Sequence, residues 1–304
     1  MKKIVIAVLS TLVAGGAYAA APDWSKVPAK KINAVFPGQS ALEWVMNKGD
    51  HSAVPDITNK KAPCAKCHEG DAADFGKAIV EGKPVGDSKK PLEPEPIAGK
   101  AGSVPVNFQA AHDGSKIYFR LEFADLPGGG KKMDSKNEMK VAIMFDGGQT
   151  VAGASENGCW STCHDDLRSM KSAKDDKKTK YIKGADLASG KYMDLIQWRS
   201  GEKKNFDGFI DSDRKMDGGK SLTKAEGKKD GSKWVVTFER ELAGKGKGDH
   251  TIAAGKTYNF GFAIHDDYSN ARYHYVSFGG YQFALDADAA DPKRAKQHVK
   301  VQKQ

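Results

Sequence analysis

The stretch IYFRLEF at residues 117–123 alternates apolar side chains with polar or amphipathic ones. Side chains of a β-strand point to opposite faces with a period of two, so this alternation predicts a strand with one buried face. Three further sets of apolar residues repeat the pattern: Val141, Ile143 and Phe145; Trp234, Val236 and Phe238; and Tyr258, Phe260, Phe262 and Ile264. The sets recur without long helical patterns between them, and Asp-Gly pairs at 113–114 and 146–147 lie where hairpins would turn. The sequence therefore predicts a mainly β fold, an antiparallel β-sandwich.

Composition divides the chain around this predicted sandwich. The predicted segments are a signal peptide at 1–19, an N-terminal segment at 20–98, the sandwich at 99–290 and a basic C-terminal tail at 291–304. The N-terminal segment reads as irregular chain with short helices, and it ends in a proline-rich stretch that is typical of a stiff linker.

The first 19 residues have the composition of a secretory signal. Lys2 and Lys3 precede an apolar run at 4–13, and Ala-Tyr-Ala follows at 17–19. This order predicts a cleaved signal peptide, and the run is shorter than the ~20 residues that a transmembrane helix needs. We expect the mature protein in the periplasm, without a membrane span.

The charge of the chain limits its partners. It contains 48 Lys and Arg against 39 Asp and Glu, and removal of Lys2 and Lys3 leaves 46 against 39, or +7. Nucleic acid is an unsuitable partner, because the lysines are scattered among acidic residues and the predicted cellular location is outside the cytoplasm. The excess of lysine favours an encounter with a protein that presents an acidic docking patch.

All four cysteines lie in two short runs, CAKCH at 64–68 and CWSTCH at 159–164. A cysteine pair followed directly by histidine is the attachment signature of a c-type haem. The two thiols bind the porphyrin, and the adjacent imidazole binds the iron. The second pair is separated by three residues rather than two, so we expect one extra residue to loop out between its thiols. The sequence predicts two covalently attached haem c groups, bound through Cys64, Cys67 and His68 and through Cys159, Cys163 and His164.

Three other interpretations of the cysteines are less suitable. Disulfides would form in an oxidising compartment, but they give no role to His68 or His164. A four-cysteine zinc site would also leave the histidines unused. A thioredoxin-like redox pair requires a βαβ context, which is absent around Cys64 and Cys67.

Each iron also needs a sixth ligand or an open position. His51 lies 13 residues before Cys64 and can fold back over the first haem, so we predict it as that sixth ligand. Three other histidines are expected away from the irons: His112 in a turn, His250 in an exposed loop and His298 in the exposed tail.

From about residue 104 to 285, the chain resembles the haem-binding domain of the ethylbenzene dehydrogenase γ-subunit type, a family that accompanies molybdenum enzymes of the dimethyl sulfoxide reductase group. The residues that carry the resemblance are 141–146, 159–168, 193–198, 233–242 and 272–277. In that family, a non-covalent b haem lies against a β-sandwich and is bound by methionine and lysine. Here the methionine region carries the second cysteine motif, and His274 stands where the lysine would be. The resemblance implies a c-type, bis-histidine branch with a further haem on an N-terminal extension.

The resemblance also directs the choice of the second sixth ligand. His274 matches the family position and is the prediction, with His265 as the alternative. Met170 is six residues past His164 on the same predicted helix, so it stays on the proximal side of the haem.

Several functions compete for such a chain. An enzyme, either a haem peroxidase or a small-molecule reductase, would need an open iron position with acid or base groups above it. A sensor or a binding module would use the cleft of the sandwich, and a haem subunit would remain bound to a molybdenum enzyme. Enough histidines are placed to fill both irons. The sequence therefore predicts a dihaem cytochrome, not an enzyme, that transfers single electrons between respiratory-chain donors and a partner oxidoreductase.

Overall fold

The computed structural model describes residues 21–39, 41–46, 51–85, 90–126, 128–163, 181–202, 205–216, 222–269 and 274–304. The predicted signal peptide at 1–19, the predicted proximal ligand His164 and Met170 lie outside the described residues.

Strands dominate the described parts of the chain. They are β1 (Lys30–Val35), β2 (Ser103–His112), β3 (Lys116–Ala124), β4 (Met139–Asp146), β5 (Met193–Arg199), β6 (Phe206–Ile210), β7 (Arg214–Lys215), β8 (Thr223–Asp230), β9 (Lys233–Glu241), β10 (Thr257–Asp266), β11 (Tyr275–Ser277), β12 (Tyr281–Leu285) and β13 (His298–Lys303). Each of the four predicted alternating sets lies within one of them.

The strands are joined in the order β7-β6-β5-β4-β10-β11-β1-β2-β3-β9-β8. β12 pairs with β10 and with β13, and β13 also pairs with β2. Apart from the parallel pairs β12–β13 and β13–β2, the named strands pair antiparallel. The predicted antiparallel β fold is confirmed.

The two halves of the sheet face each other across an aromatic core. Phe108 of β2 stacks on Phe260 and Phe262 of β10 at centroid distances of 4.9 and 6.0 Å, although β2 and β10 are not paired. Trp198 of β5 and Trp234 of β9, whose strands are also not paired, lie 5.9 Å apart with ring planes tilted by 57°. These contacts place the core between two layers, because strands paired side by side cannot present their rings face to face in this manner.

Short helices lie outside the sheet. They are α1 (Leu42–Val45), α2 (Val54–Lys60), α3 (Cys64–His68), α4 (Ala72–Val80), α5 (Ala154–Asn157), α6 (Cys159–Cys163) and a 3₁₀ helix (Pro292–Gln297). Among the described helices, we find none with the length and apolar character to cross a membrane.

One outer face of the sheet is buried by helices. Ala142 and Met144 of β4, Leu195 of β5 and Val276 of β11 form a second apolar cluster, against which Cys163 of α6 packs. β4 is therefore covered on both faces, by the core on one side and by the second cysteine motif on the other.

Two predicted segments differ in the structure. Within the N-terminal segment 20–98, β1 inserts into the sheet between β11 and β2. Within the predicted tail at 291–304, β13 lies between β12 and β2, so these residues are not an exposed tail. Backbone groups of both strands are paired in the ladder, which makes them part of the sheet. The division of the chain into separate domains stays a prediction.

Candidate haem sites

The first cysteine motif forms the single-turn helix α3. Pro63 precedes it in an extended conformation with ψ 147°, and Cys64 and Cys67 follow at helical spacing. Residues three apart on a helix lie on the same face, so both thiols can reach one ligand. Cys64 and Cys67 are free thiols, and Cys67 is exposed. Burial raises the pKa of the Cys64 thiol to about 12.

The structure brings His51 and His68 together. Their ring centroids are 6.2 Å apart, and the ring planes differ by 28°. A metal-bound imidazole has its ring centre about 3 Å from the ion, because the metal–nitrogen bond is about 2.0 Å and the ring adds about 1 Å. Two imidazoles on opposite sides of one iron are then about 6 Å apart. The spacing of the two rings fits an iron between them.

The surroundings of His68 suit an axial ligand. Asp71 Oδ2 lies 3.2 Å from His68 Nδ1. This carboxylate favours the tautomer with the proton on Nδ1, which leaves Nε2 to bind a metal. Phe75 and Phe278 lie beside the ring at centroid distances of 5.9 and 6.1 Å and give it an apolar wall. Asp71 was not among the predicted site residues, although its position three residues after His68 was a usable signal.

The second motif lies on the outer face of the sheet. α5 ends at Gly158, whose φ of 55° turns the chain into α6. α6 packs against β10 and β11, and Thr162 Oγ1 donates a hydrogen bond to Met144 Sδ of β4 at 3.4 Å. The pKa of the Cys163 thiol is raised by burial.

The prediction of a looped-out residue in this motif was wrong. α6 runs from Cys159 to Cys163 as helix. Residues four apart lie on the same face of a helix, just as residues three apart do. The spacing of Cys159 and Cys163 therefore needs no bulge in the helix.

His265 and His274 lie side by side near this motif. The ladder between β10 and β11 pairs Ile264 with Tyr275, which places the two histidines opposite each other at the next position. Their ring centroids are 4.3 Å apart with planes at 15°, and the residues are 6% and 7% exposed. This distance is too short for an iron between them, since that arrangement requires about 6 Å. One of the two can be a sixth ligand, and both candidates from the sequence are brought to one place.

Cations surround the pair. Lys100 is buried, with Nζ 3.3 Å from Asp266 Oδ2 and 4.8 Å from the centre of the Tyr275 ring. Burial is the main cause that lowers the pKa of His265 well below its usual value, and the neighbouring His274, Lys140, Arg214 and Lys100 lower it further. Lys100 was not predicted, because a single lysine in a loop carries no local pattern that marks it as buried.

The remaining histidines of the described residues are used elsewhere in the fold. His112 Nε2 lies 2.9 Å from Asp286 Oδ2, and His298 Nε2 lies 2.9 Å from the carbonyl oxygen of Ala287. His250 stacks on Tyr192 at 3.9 Å. All three are buried. The expectation of an exposed loop for His250 and an exposed tail for His298 was wrong, because strand pairing and ring packing bury both.

Comparison with known proteins gives the family. A sequence model described as ethylbenzene dehydrogenase matches residues 21–230. A relative named cytochrome c-552, from Stutzerimonas stutzeri, is 46% identical over 284 residues, which cover 93% of this chain and 94% of that protein. A relative named cytochrome c-551, from Rhodocyclus tenuis, is 33% identical over 279 residues, which cover 91% of this chain and 100% of that protein.

Solved structures are more distant. A putative carbohydrate-binding protein from Bacteroides uniformis has a TM-score of 0.32 at 12% identity, covering 58% of this chain and 69% of that one. A family 9 carbohydrate-binding module from Caldicellulosiruptor kristjanssonii in complex with glucose has a TM-score of 0.28 at 13% identity, covering 64% and 71%. Likenesses of this size support no statement about the function of the chain.

The family match begins at residue 21, well before residue 104, where the resemblance was expected to start. The segment with Cys64 and Cys67 is therefore within the matched region, in keeping with the insertion of β1 into the sheet. The resemblance itself is confirmed: the chain belongs to the ethylbenzene dehydrogenase family.

Proposed function

We propose that this protein is an exported dihaem c-type cytochrome that transfers single electrons between respiratory-chain donors and a partner oxidoreductase, and that it is not an enzyme. The observation that carries the proposal is the pair His51 and His68, which lies at the first attachment motif with ring centroids 6.2 Å apart. The names of the two curated relatives, cytochrome c-552 and cytochrome c-551, support it independently.

In this proposal, Cys64 and Cys67 would hold the first haem, and His68 and His51 would hold its iron. Bound haem supplies a one-electron redox centre. Asp71 holds the His68 ring by accepting a hydrogen bond from Nδ1, and Phe75 and Phe278 give the ring an apolar wall. With both histidines as ligands, the iron would have no free position for a substrate, and the haem would serve electron transfer.

The second haem is attached through Cys159 and Cys163, with His164 as the proximal ligand and His274 as the sixth ligand. His265 is the alternative. The packing of the partly buried Cys163 against an apolar cluster with residues of β4 and β11 supports a haem in this place. His265 and His274 project from neighbouring strands that α6 also contacts, which supports a ligand from β10 or β11.

In the same proposal, the redox partner docks at α3. Cys67 is exposed there, and Lys60, Lys61 and Lys66 are exposed around it. A partner with an acidic docking patch would be attracted by these lysines, and the association rate would fall with added salt. Residues 1–19 would direct the chain to the periplasm, where such partners meet it.

The family match also favours one alternative, in which the protein is a permanent haem subunit of a molybdenum-enzyme complex. Affinity purification from the exporting cell distinguishes the two. A carrier is recovered mainly as free chain, whereas a subunit is recovered in a fixed ratio with the enzyme.

The intact mass of the purified holoprotein tests the proposal. We expect a mature chain with two haems added, both six-coordinate and low-spin in the absorption spectrum. A mass with one haem, or an apoprotein with disulfides, would overturn the dihaem assignment. Rapid turnover of peroxide or another small substrate, blocked by cyanide that binds readily to one of the irons, would favour the enzyme instead.

A further inference from the structure

Arg294 is a buried arginine in the 3₁₀ helix that precedes β13. Its Nη2 donates one hydrogen bond to the carbonyl oxygen of Ser155 in α5 at 2.6 Å and another to the carbonyl oxygen of Gly280 at 3.0 Å. Gly280 lies in the turn between β11 and β12. A side chain from the C-terminal segment therefore joins α5 to this turn.

The surroundings of Arg294 keep this bridge away from water. Arg294 is 8% exposed, and the neighbouring Glu156 is 5% exposed. Burial lowers the pKa of the Arg294 guanidinium, and the charges of Glu156 and Asp291 act in the opposite direction. Within the described residues, Nε and Nη1 of Arg294 have no hydrogen-bond partner. The two carbonyl oxygens are therefore the hydrogen-bond partners of this buried charge, and bonds from a charged donor are stronger than neutral ones.

The turn that Arg294 holds lies directly against the first cysteine motif. Gly279 has φ 92°, and a Cβ added there would lie 2.5 Å from Ala65 Cβ and 2.7 Å from Ala65 N. A Cβ added to Gly280 would lie 1.7 Å from the carbonyl oxygen of Ser155. The turn is thus packed between α3 and α5 with no room for side chains at these two positions.

The helix α5 contacts the same motif. The Cys64 thiol donates a hydrogen bond to Asn157 Oδ1 at 3.3 Å. Asn157 belongs to α5, as does Ser155, which accepts from Arg294. Both segments that Arg294 joins therefore touch α3, and a change in their relative position would move the helix that carries His68.

The turn also places an aromatic ring beside the proposed axial ligand. Phe278 directly precedes Gly279, and its ring centroid lies 6.1 Å from that of His68 and 5.4 Å from that of Phe75. Phe75 itself lies 5.9 Å from His68. Two rings therefore pack around the imidazole, and one of them belongs to the turn that Arg294 holds. A displaced turn would leave the imidazole free to rotate about its side-chain bonds.

We propose that Arg294 is a positioning residue of the first haem site: by joining the turn at 278–280 to α5, it fixes the place of α3 and the orientation of the His68 imidazole relative to that of His51. The proposal rests on the function proposed above, because it concerns the orientation of two proposed iron ligands. Arg294 acts through the turn and through α5. The segment 291–304 thereby acquires a role in a site whose cysteines and histidines lie near the other end of the sequence.

The matched variants Arg294→Met and Arg240→Met test the proposal. Arg240 is also buried, and it also donates to backbone carbonyl oxygens, those of Glu241 and His250. Each substitution removes a buried guanidinium and leaves a buried carboxylate without its cation, Glu156 in one case and Asp194 in the other. The two variants therefore differ in which segments the arginine joins.

The readout is the low-temperature electron paramagnetic resonance spectrum of the oxidised holoprotein. The g values of a low-spin ferric haem depend on the angle between the planes of its two axial imidazoles, and the planes of His51 and His68 differ by 28°. The signal of the first haem is identified as the low-spin signal that His51→Ala removes. A loss of stability without movement of His68 would not change the g values of this signal.

We expect the g values of the first haem to shift in Arg294→Met and to keep their wild-type values in Arg240→Met. Arg294→Lys keeps the positive charge, but its ammonium ends one bond short of the position of Nη2, so its hydrogen bonds to the two carbonyl oxygens would be longer. We therefore expect a shift in the same direction that is smaller than in Arg294→Met. Arg294→Lys is the deciding variant if Arg294→Met fails to fold.

The outcomes separate this inference from the proposed function. Wild-type g values in a folded Arg294→Met protein, or in Arg294→Lys if only that variant folds, would overturn the positioning role and leave the proposed function intact. An equal shift in Arg240→Met would also overturn it, because the change would then follow from loss of stability. If His51→Ala removes no low-spin signal, His51 is not an iron ligand, and the proposed function of the first site is itself wrong.

Discussion

Replacement of His274 by alanine is the sharpest test of the second iron site. If the chain carries the two haems proposed above, loss of one sixth ligand should make half of the total haem high-spin and leave the other half unchanged. Histidine at 265 is not expected to replace the lost ligand. Its ring centre is 4.3 Å from that of His274, and its backbone is held in register with Lys140 of β4. Replacement would require a shift of about that distance within a closely packed layer.

The assay combines the absorption spectrum with low-temperature electron paramagnetic resonance, which counts high-spin and low-spin ferric iron. His265→Ala should keep both irons low-spin, and the double variant should match His274→Ala. His51→Ala should convert the other half of the haem, so that a His51→Ala, His274→Ala protein is entirely high-spin. His112→Ala removes a buried imidazole that contacts Asp286 and serves as a control without spectral change.

The opposite pattern would refute the reasoning. If His265→Ala produces the high-spin haem and His274→Ala does not, the ligand is on β10 and the family position was transferred to the wrong strand. If only the double variant becomes high-spin, either histidine can bind the iron when the other is absent. The argument from close packing would then be wrong.

Two further predictions concern the stability of the sandwich. Arg240→Met should lower the free energy of unfolding by about 3–5 kcal/mol in urea denaturation, because Arg240 Nη2 lies 2.6 Å from Asp194 Oδ2 with both side chains fully buried. The partly exposed Arg199 is the control, since Arg199→Met should cost at most about 1 kcal/mol, and an equal loss in both variants would contradict the argument. Burial lowers the pKa of His250 to about 4, so its neutral form favours folding above the unfolded pKa of about 6.5. Between pH 6.5 and 4, this contribution is lost as the pH falls, by up to about 3 kcal/mol, and His250→Gln should lose that part of the pH dependence; an unchanged pH profile would exclude His250 as its source.

The parts of this protein that could be predicted from sequence are those encoded by neighbouring residues. The alternation at 117–123 specifies a half-buried strand, because the period of side-chain direction is a local property of extended chain. The Cys64 to His68 run predicts a haem attachment site in the same way, since a cysteine pair three residues apart with an adjacent histidine is a local signature. Even the choice of His51 rested on a short separation along the chain.

The sheet order and the contact between the first cysteine motif and α5 were decided only by the tertiary structure. The Cys64–Asn157 hydrogen bond spans 93 positions, and the stacking of His265 on His274 requires the pairing of β10 with β11. Burial of His298 likewise depends on the insertion of β13 between β12 and β2. Such contacts are set by which strands pair and which faces the helices cover, and this choice is made by packing over the whole chain rather than by any local pattern.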